Sequence, residues 1–333
     1  MLIVRLSSFG DVAMTVPVID RLRRNYPDLK ITILTTEFFS ALFNQIPDIN
    51  FTFFQTKHNS FLGLISLYWQ IKKLKIDHMI DLHNVIRTKT LRFLLSLFGG
   101  LSGTYISLNK GRKEKAELIN GKKLIRLKSM HQRYSDAFKE LSLKIDLAKF
   151  VFYTRKEINY SKYRFNKNKK LIGIAPFSKH KCKEYSVSNI LKIIRALNDS
   201  FEILIFGALG KESQKIDRIC NKVKNTYNVS SINSLDEQMS LISNLELMIS
   251  MDSANGHVAA LFGIDVVSIW GATHPYTGYR PFNQTDDNSI TPDLNVFKRL
   301  PVTVYGYKCP DEFKDVINTI PVEKVLDQVY KSI

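Results

Sequence analysis

The chain is short of cysteine, of acidic residues and of long apolar runs. Its three cysteines, Cys182, Cys220 and Cys309, are odd in number and far apart, and no CxxC spacing occurs. That argues against a disulfide framework and a structural zinc site, and fits reduced thiols in the cytoplasm. The longest apolar stretches, such as FLLSLFGGL at 93–101, fall well short of the ~20 residues of a membrane span. The N-terminus enters LIVRLSSFGD directly and reads as lacking a secretory signal. Several signatures of chemistry are also missing. No GxGxxG follows the first strand, no GxxxxGK[ST] occurs, and there is no HExxH and no GxSxG. These absences remove support for a dinucleotide fingerprint, a P-loop, a zincin and a nucleophile-elbow hydrolase. No His/Cys cluster has metal-ligand spacing, so neither a metal nor a cofactor is expected.

The shortage of acid leaves a strong positive balance. Forty-eight Lys and Arg face 31 Asp and Glu among 333 residues, a formal charge of +17. Such a field draws polyanions: nucleic acid, an anionic membrane or a phosphorylated substrate. Aromatics interleaved with basics, as in RNP motifs, are not found, so nucleic acid is not the expected partner.

What is present is an alternation of strand and helix patterns, which implies βαβ units and parallel sheets. Strands are read at 2–4, 30–36, 49–55 and 78–83, with helices at 12–25, 37–45 and 84–98. A polar, lysine-rich stretch at 154–170 reads as a linker, after which the pattern restarts. Strands are read at 171–177, 201–207, 245–250 and 265–271. Helices are read at 187–198, 235–244 and 254–262, with a last one at the C-terminus. Ile190, Ile193, Ile194 and Leu197 fall on one helical face. Two α/β halves follow, and in such sheets ligands gather beyond the carboxyl ends of the strands.

Four strand ends are polar: SSFGD (7–11), PFSKHKCKEYS (176–186), FGALGKES (206–213) and MDSANGH (251–257), the last followed by WGATHP. Asp11 behind Gly10 can cap the helix 12–25, or act as a general base facing a hydroxyl. Asp252-Ser253 suits a helix N-cap and equally an anion site at a helix N-terminus. Lys183 sits in a basic loop, which is either solvated or a cation for a diphosphate leaving group. His257 is either a structural histidine or a ligand group.

Together these motifs resemble glycosyltransferase family 9, the lipopolysaccharide heptosyltransferases. LIVRLSSFGDVAMTVPVIDRLRRNYPD looks like the family's N-terminal signature, and IDLHNVIRTKTLR (80–92) is similar to its second element. APFSKHKCKEYS, FGALGKES and SMDSANGHVAALFGIDVVSIWGATHP match its later elements in order. The resemblance covers roughly residues 1–280. It implies a GT-B fold: two Rossmann-like domains with parallel sheets facing a central cleft. Residues 1–155 are then an acceptor-binding domain, 156–170 a linker and 171–333 a nucleotide-sugar-binding domain, with the last helix packing back on the first. The implied activity is inverting, metal-independent transfer of heptose from ADP-heptose to a lipopolysaccharide core or lipid A-linked acceptor. Asp11 matches the family's base, and Lys183 the lysine on the diphosphate. Glu212 matches the ribose-holding acid, Asp252, Ser253 and Ala254 the donor-site Asp-Thr-Gly run, and His257 its following histidine. Ser8, Gly10, His83, Asn84, Arg87, Lys110 and Arg112 fall on the acceptor side. Ser253 and Ala254 depart from the family's Thr and Gly, as Ala175-Pro176-Phe177 and Tyr185-Ser186 do from its usual residues. They leave open a different sugar or acceptor, and a basic polyanion-binding module is the remaining alternative.

Lipid A–core acceptors are anionic and sit in the inner membrane, so the implied location is cytoplasmic and peripheral to that membrane. Segment 110–133 carries nine Lys and Arg against two Glu, a net +7. It is either a solvated helix face or a surface that docks on the acceptor or membrane.

Overall fold

The computed structural model of the protein describes residues 1–121, 124–158, 160–232 and 234–333. The chain forms two units: Met1–Lys110 with Met130–Val151, and Gly111–Ser129 with Phe152–Ile333. Among the described residues the first unit has five strands: β1 (Leu2–Val4), β2 (Ile31–Thr35), β3 (Ile49–Phe53), β4 (Met79–Asp81) and β5 (Tyr105–Ser107). Its helices are α1 (Phe9–Ala13), α2 (Val16–Asn25), α3 (Glu37–Ser40), α4 (Phe61–Lys72), α5 (Ile86–Leu97) and α7 (Met130–Lys139). The second unit carries α6 (Arg112–Asn120), α8 (Tyr160–Tyr163), β6 (Lys170–Ala175), α9 (Val187–Leu197), β7 (Phe201–Ile205) and α10 (Lys211–Cys220). It continues through β8 (Thr226–Asn228), α11 (Leu235–Ile242), β9 (Leu245–Met251), α12 (Ala254–Leu261), β10 (Asp265–Ile269), β11 (Ser289–Ile290) and α13 (Val322–Ser332).

Every pairing in both sheets is parallel. The strand orders are β3-β2-β1-β4-β5 and β11-β10-β9-β6-β7-β8. In each, the first strand in sequence lies inside the sheet and the order reverses beside it. These reversals, β1 against β4 and β6 against β9, are where a doubly wound sheet binds ligands.

The central strands are buried on both faces, and alternate side chains turn to the same side. In the first unit Leu2, Val4 and Met79 turn to a cluster with Leu64, Leu67 and Ile71 of α4 and Leu91 and Leu95 of α5. In the second unit Ile172, Ile174, Leu247 and Ile249 meet Ile190, Ile193, Ile194 and Leu197, the face of α9 read from spacing. Each such side chain contributes about 1.5–3 kcal/mol by leaving water.

Several boundaries differ from the sequence reading for identifiable reasons. The helix read at 12–25 is two helices. Pro17 has no N–H to give Ala13 and its ring crowds that carbonyl, so α1 stops at Ala13 and α2 starts with the proline in its first turn. The strand read at 78–83 ends at Asp81. Its carboxylate accepts from the backbone N–H of His83 at 3.0 Å and of Asn84 at 2.7 Å, and Asn84 turns to φ 46°.

The unit boundary also differs. Residues 111–129 pack with the second unit, although they were expected in the first domain. Lys115 is buried, donates to the Tyr279 hydroxyl at 2.9 Å and lies over the Tyr279 and Tyr305 rings. Arg126 pairs with Asp286 and covers the Tyr276 ring, and Leu127 N–H donates to Tyr276 at 2.9 Å. Two cations of the expected basic face are thus spent on internal contacts, and Lys122 and Lys123 lie outside the described residues. The stretch read as a linker at 156–170 packs too: Lys156 pairs with Asp236, and Phe165 meets Tyr227 edge to face. Asn159, within it, lies outside the described residues. The last helix, α13, packs on α9 of its own unit, with Val325 and Val329 in that core and the Tyr330 hydroxyl on Ala196 O at 3.2 Å.

No helix among the described residues is long and apolar enough to cross a membrane. Cys182 and Cys309, distant in sequence, share one apolar cluster as unbonded thiols that influence each other's ionisation. Burial pushes the Cys309 thiol up to about 12.

Asp81 joins β4, α5 and β5, because Thr88 and Tyr105 also donate to it, at 2.6 and 3.1 Å. Asp81→Asn sets an amide N–H against these donors and should destabilise the first unit by about 1–3 kcal/mol in urea unfolding. An unchanged midpoint would show that the four bonds are not what closes this corner.

Candidate active site

The first reversal point gathers polar groups from the ends of β1 and β4. Arg5, one residue beyond β1, is buried. Its Nη1 donates to Leu82 O at 2.6 Å and its Nη2 to Asp11 Oδ2 at 2.6 Å. The fork therefore ties the end of β4 to the helix that follows β1. Ser8 Oγ donates to the same Asp11 oxygen at 2.7 Å, and Tyr134 of α7 reaches Oδ1 at 3.4 Å. Asp11 does not cap a helix; it stands in the first turn of α1, where a carboxylate suits the dipole. Ser8 holds the N-cap position, and its hydroxyl is spent on Asp11. Gly10 is the second residue of α1.

His83 lies beside this cluster, with Nε2 3.4 Å from Ser7 Oγ and a buried Nδ1 that has no partner among the described residues. Burial, then the Arg5 and Lys110 cations, push its pKa down to about 3, with Asp11 pulling the other way and Arg87 adding to the fall. A neutral imidazole accepts or donates hydrogen bonds without adding charge. Asn84 Nδ2 donates to Leu108 O at 2.9 Å, and Arg87 lies over the Phe54 ring. Ser8, Gly10, Asp11, His83, Asn84, Arg87 and Lys110 thus belong to one unit. Arg112 is exposed at the start of α6 and belongs to the other.

The second reversal point is built from the loops after β6 and β9. A short 3-10 turn over Lys181–Lys183 brings Lys183 Nζ to 2.8 Å from Asp252 Oδ2. Their side chains are only 12% and 10% exposed, so each largely depends on the other for its lost hydration. Thr273 Oγ1 adds a bond to the same oxygen at 3.1 Å. Gly306 matters here: a Cβ would lie 2.7 Å from Lys183 Cδ and 2.9 Å from His180 Cβ, so only glycine lets that loop lie along the lysine. Burial, with Lys183 and Lys179 adding, lowers the pKa of His180.

Ser253 occupies the N-cap of α12, yet its hydroxyl makes no cap bond and pairs with Ser250 Oγ at 3.0 Å. The first-turn amides of α12, starting at Ala254, therefore lack a side-chain cap, and such a helix end favours anions. His257 is buried on α12. Glu212, in the first turn of α10, accepts the Ala208 N–H at 2.7 Å and so closes the loop after β7.

Sequence reading missed Arg5, Tyr134 and Thr273. Arg5 had a signal, a cation inside the apolar run LIVRL. Among the described residues no group of three or more His, Cys, Asp or Glu is placed to hold a metal ion.

Comparison with known proteins agrees with this arrangement. The profile of the family described as Glycosyltransferase family 9 (heptosyltransferase) matches residues 19–299. The chain is 22% identical to the lipopolysaccharide core heptosyltransferase OpsX of Haemophilus influenzae, over 99% of this chain and 95% of that one. A solved glycosyltransferase family 9 structure from Veillonella parvula superposes with a TM-score of 0.75 at 17% identity, covering 99% and 96% of the two chains. Heptosyltransferase WaaC of E. coli, solved with ADP, gives 0.70 at 15%, covering 100% and 99%. These likenesses show the fold, GT-B.

Two outcomes are expected. His83 and His274, the latter pushed down to about 4 chiefly by burial, take up their protons near pH 6.5 only when unfolded. Between those values the unfolded chain binds more protons, so stability falls as pH drops below about 6.5. His83→Gln should flatten that slope by up to ~1.4 kcal/mol per pH unit; equal slopes in urea titrations at pH 7 and 5 would refute it. Removing one partner of the buried pair, by Lys183→Met or Asp252→Leu, should cost about 3–5 kcal/mol, and the double change less than their sum. Strict additivity in the double-mutant cycle would mean the two charges are solvated independently.

Proposed function

The chain belongs to glycosyltransferase family 9, the heptosyltransferase family, and is a glycosyltransferase; from that premise we propose that it transfers heptose from ADP-heptose, with inversion, to a lipopolysaccharide core or lipid A-linked acceptor. The observation that carries the reading is the Asp11 carboxylate, held by Arg5 and Ser8 at the first reversal point. Placed by two donors on one oxygen, it takes the proton of an acceptor hydroxyl as that oxygen bonds to the anomeric carbon. The bond from that carbon to the diphosphate breaks on the opposite face, and ADP leaves with the electron pair. One displacement inverts the centre.

Lys183 meets the diphosphate and offsets charge on the leaving group. The Asp252 carboxylate, 2.8 Å from Nζ, holds the ammonium in place until then. The amides that open α12, from Ala254 on, face the phosphates as a preformed anion site, with Ser253 and His257 lining that end. Glu212 takes the ribose with its side chain fixed by Ala208 N–H. Neutral His83, with Asn84, Arg87 and Lys110, lines the acceptor side. Because Lys183 and the helix end supply the positive charge, transfer proceeds without a bound metal. A lipid-linked acceptor places the work at the inner membrane, on its cytoplasmic side. Binding of ADP by the E. coli relative supports the adenine nucleotide.

The test is ADP release from ADP-heptose with a truncated lipid A–core acceptor. Asp11→Asn should lower turnover by about 10²–10⁴-fold, the range of general-base catalysis, with ADP binding retained. Equal turnover would remove Asp11 as base. Tight ADP binding by wild type without release would point to another sugar or acceptor. Release abolished by a chelator and restored by a divalent cation would overturn the metal-free step.

A further inference from the structure

Helices α4 and α5 lie side by side over one face of the first sheet, and their inward residues form its core. Their ends are tied together at Phe98 O, which accepts from the Tyr68 hydroxyl at 2.8 Å and from Lys72 Nζ at 2.7 Å. The outward faces are not polar. Phe61, Leu62 and Trp69 of α4 and Ile86, Phe93 and Leu97 of α5 are between 54 and 85% exposed. On α5 the three are seven and four residues apart, one stripe at the helical period. Large apolar side chains gathered on one side of a folded unit mark an interaction surface.

The charge around them has one sign. Residues 49–76 contain Lys57, Lys72, Lys73 and Lys75 and no acidic residue. Residues 82–100 contain Arg87, Lys89 and Arg92 and again no acidic residue. We propose that the outward face of α4 and α5 is the surface by which this protein lies on an anionic lipid bilayer, aromatic and aliphatic side chains entering the headgroup layer and the lysines meeting lipid phosphates. Charge complementarity selects the occupant. A second copy would bring two basic rims together with no acid between them. Aromatics with lysine and arginine on a helix face are the composition that holds a helix in the membrane interface. The choice of a bilayer over an acidic protein rests on the lipid-linked acceptor proposed above. The surface differs from the basic segment 110–133, two of whose cations are engaged by tyrosines and Asp286.

The test uses the full chain without sugar donor. Wild type should float with phosphatidylethanolamine vesicles containing one quarter phosphatidylglycerol, and not with phosphatidylcholine vesicles. Trp69→Ser with Phe93→Ser, and separately Lys73→Glu with Lys89→Glu, should each reduce the bound fraction at least about ten-fold, as loss of apolar and cationic contacts would. Unchanged circular dichroism and ADP binding would show both variants folded. A second readout needs no destabilising change. The two tryptophans are Trp69, exposed, and Trp270, fully buried. Vesicles should therefore shift emission to the blue and slow acrylamide quenching in wild type, and do neither in Trp69→Phe. The proposal is overturned if wild type does not float, or if Arg112→Glu with Lys113→Glu abolishes flotation while the α4 and α5 changes do not. It is also overturned if the α4 and α5 variants lose a concentration-dependent dimer or an acidic protein partner instead of vesicle binding. Flotation without transfer would fail the transferase reading alone; transfer to detergent-dispersed acceptor without flotation would fail this one alone.

Discussion

Each sheet grows outward from a first strand that ends up in its interior, and this placement decides where polar chemistry can sit. Crossovers carry the chain to one side of β1 and later to the other, and the same happens around β6. At each reversal two adjacent strands send their following loops apart, so their carboxyl ends are left without a covering helix. Backbone groups exposed there need partners. Arg5 answers this at Leu82 O, and Asp81 answers it for the amides of His83 and Asn84. The residues that finish the sheet are therefore the ones that frame the site.

A consequence is that the charged groups at both points are matched before any substrate arrives. Arg5 meets Asp11, and Lys183 meets Asp252. Buried pairs of this kind add little net stability, since desolvation offsets much of the attraction. Their value lies in fixed geometry: a carboxylate or ammonium already held in place needs no reorganisation when charge develops beside it. His83 follows the same logic from the other direction. Surrounded by Arg5, Lys110 and Arg87, it stays uncharged and adds no fourth cation to the cluster.

Much of this was legible in the sequence, and the rest was hidden for physical reasons. The strands in the middle of the sheets announced themselves as apolar β-branched runs, and the face of α9 as a helical period. Asp11, Lys183 and Asp252 stood out because they are polar residues where such runs end. The short outer strands β5, β8 and β11 have two or three residues each and leave no pattern to read. Helix α4 escaped for a different reason. FLGLISLYWQIK is apolar on its outward face as well as its inward one, so no amphipathic contrast marks it. Thr273 was invisible as a site residue because it acts on Asp252 from a different segment, and spacing along the chain carries no record of that; Arg5 left a signal, a cation in an apolar run, that went unused.

The basic composition shows the same divide between sequence and space. A net charge of +17 says that polyanions are attracted, but not where. Segment 110–133 carries a net +7 in sequence, yet Lys115 is buried against two tyrosines and Arg126 is matched by Asp286. Density along the sequence therefore overstates its free charge. Around α4 and α5, Lys72, Arg87 and Arg92 lie over rings of their own unit, but Lys57, Lys73, Lys75 and Lys89 are exposed, no acid lies within either stretch, and these lysines flank exposed apolar side chains. A charge acts on an outside partner only to the extent that nothing inside already answers it, so the sparser surface is the stronger candidate for contact.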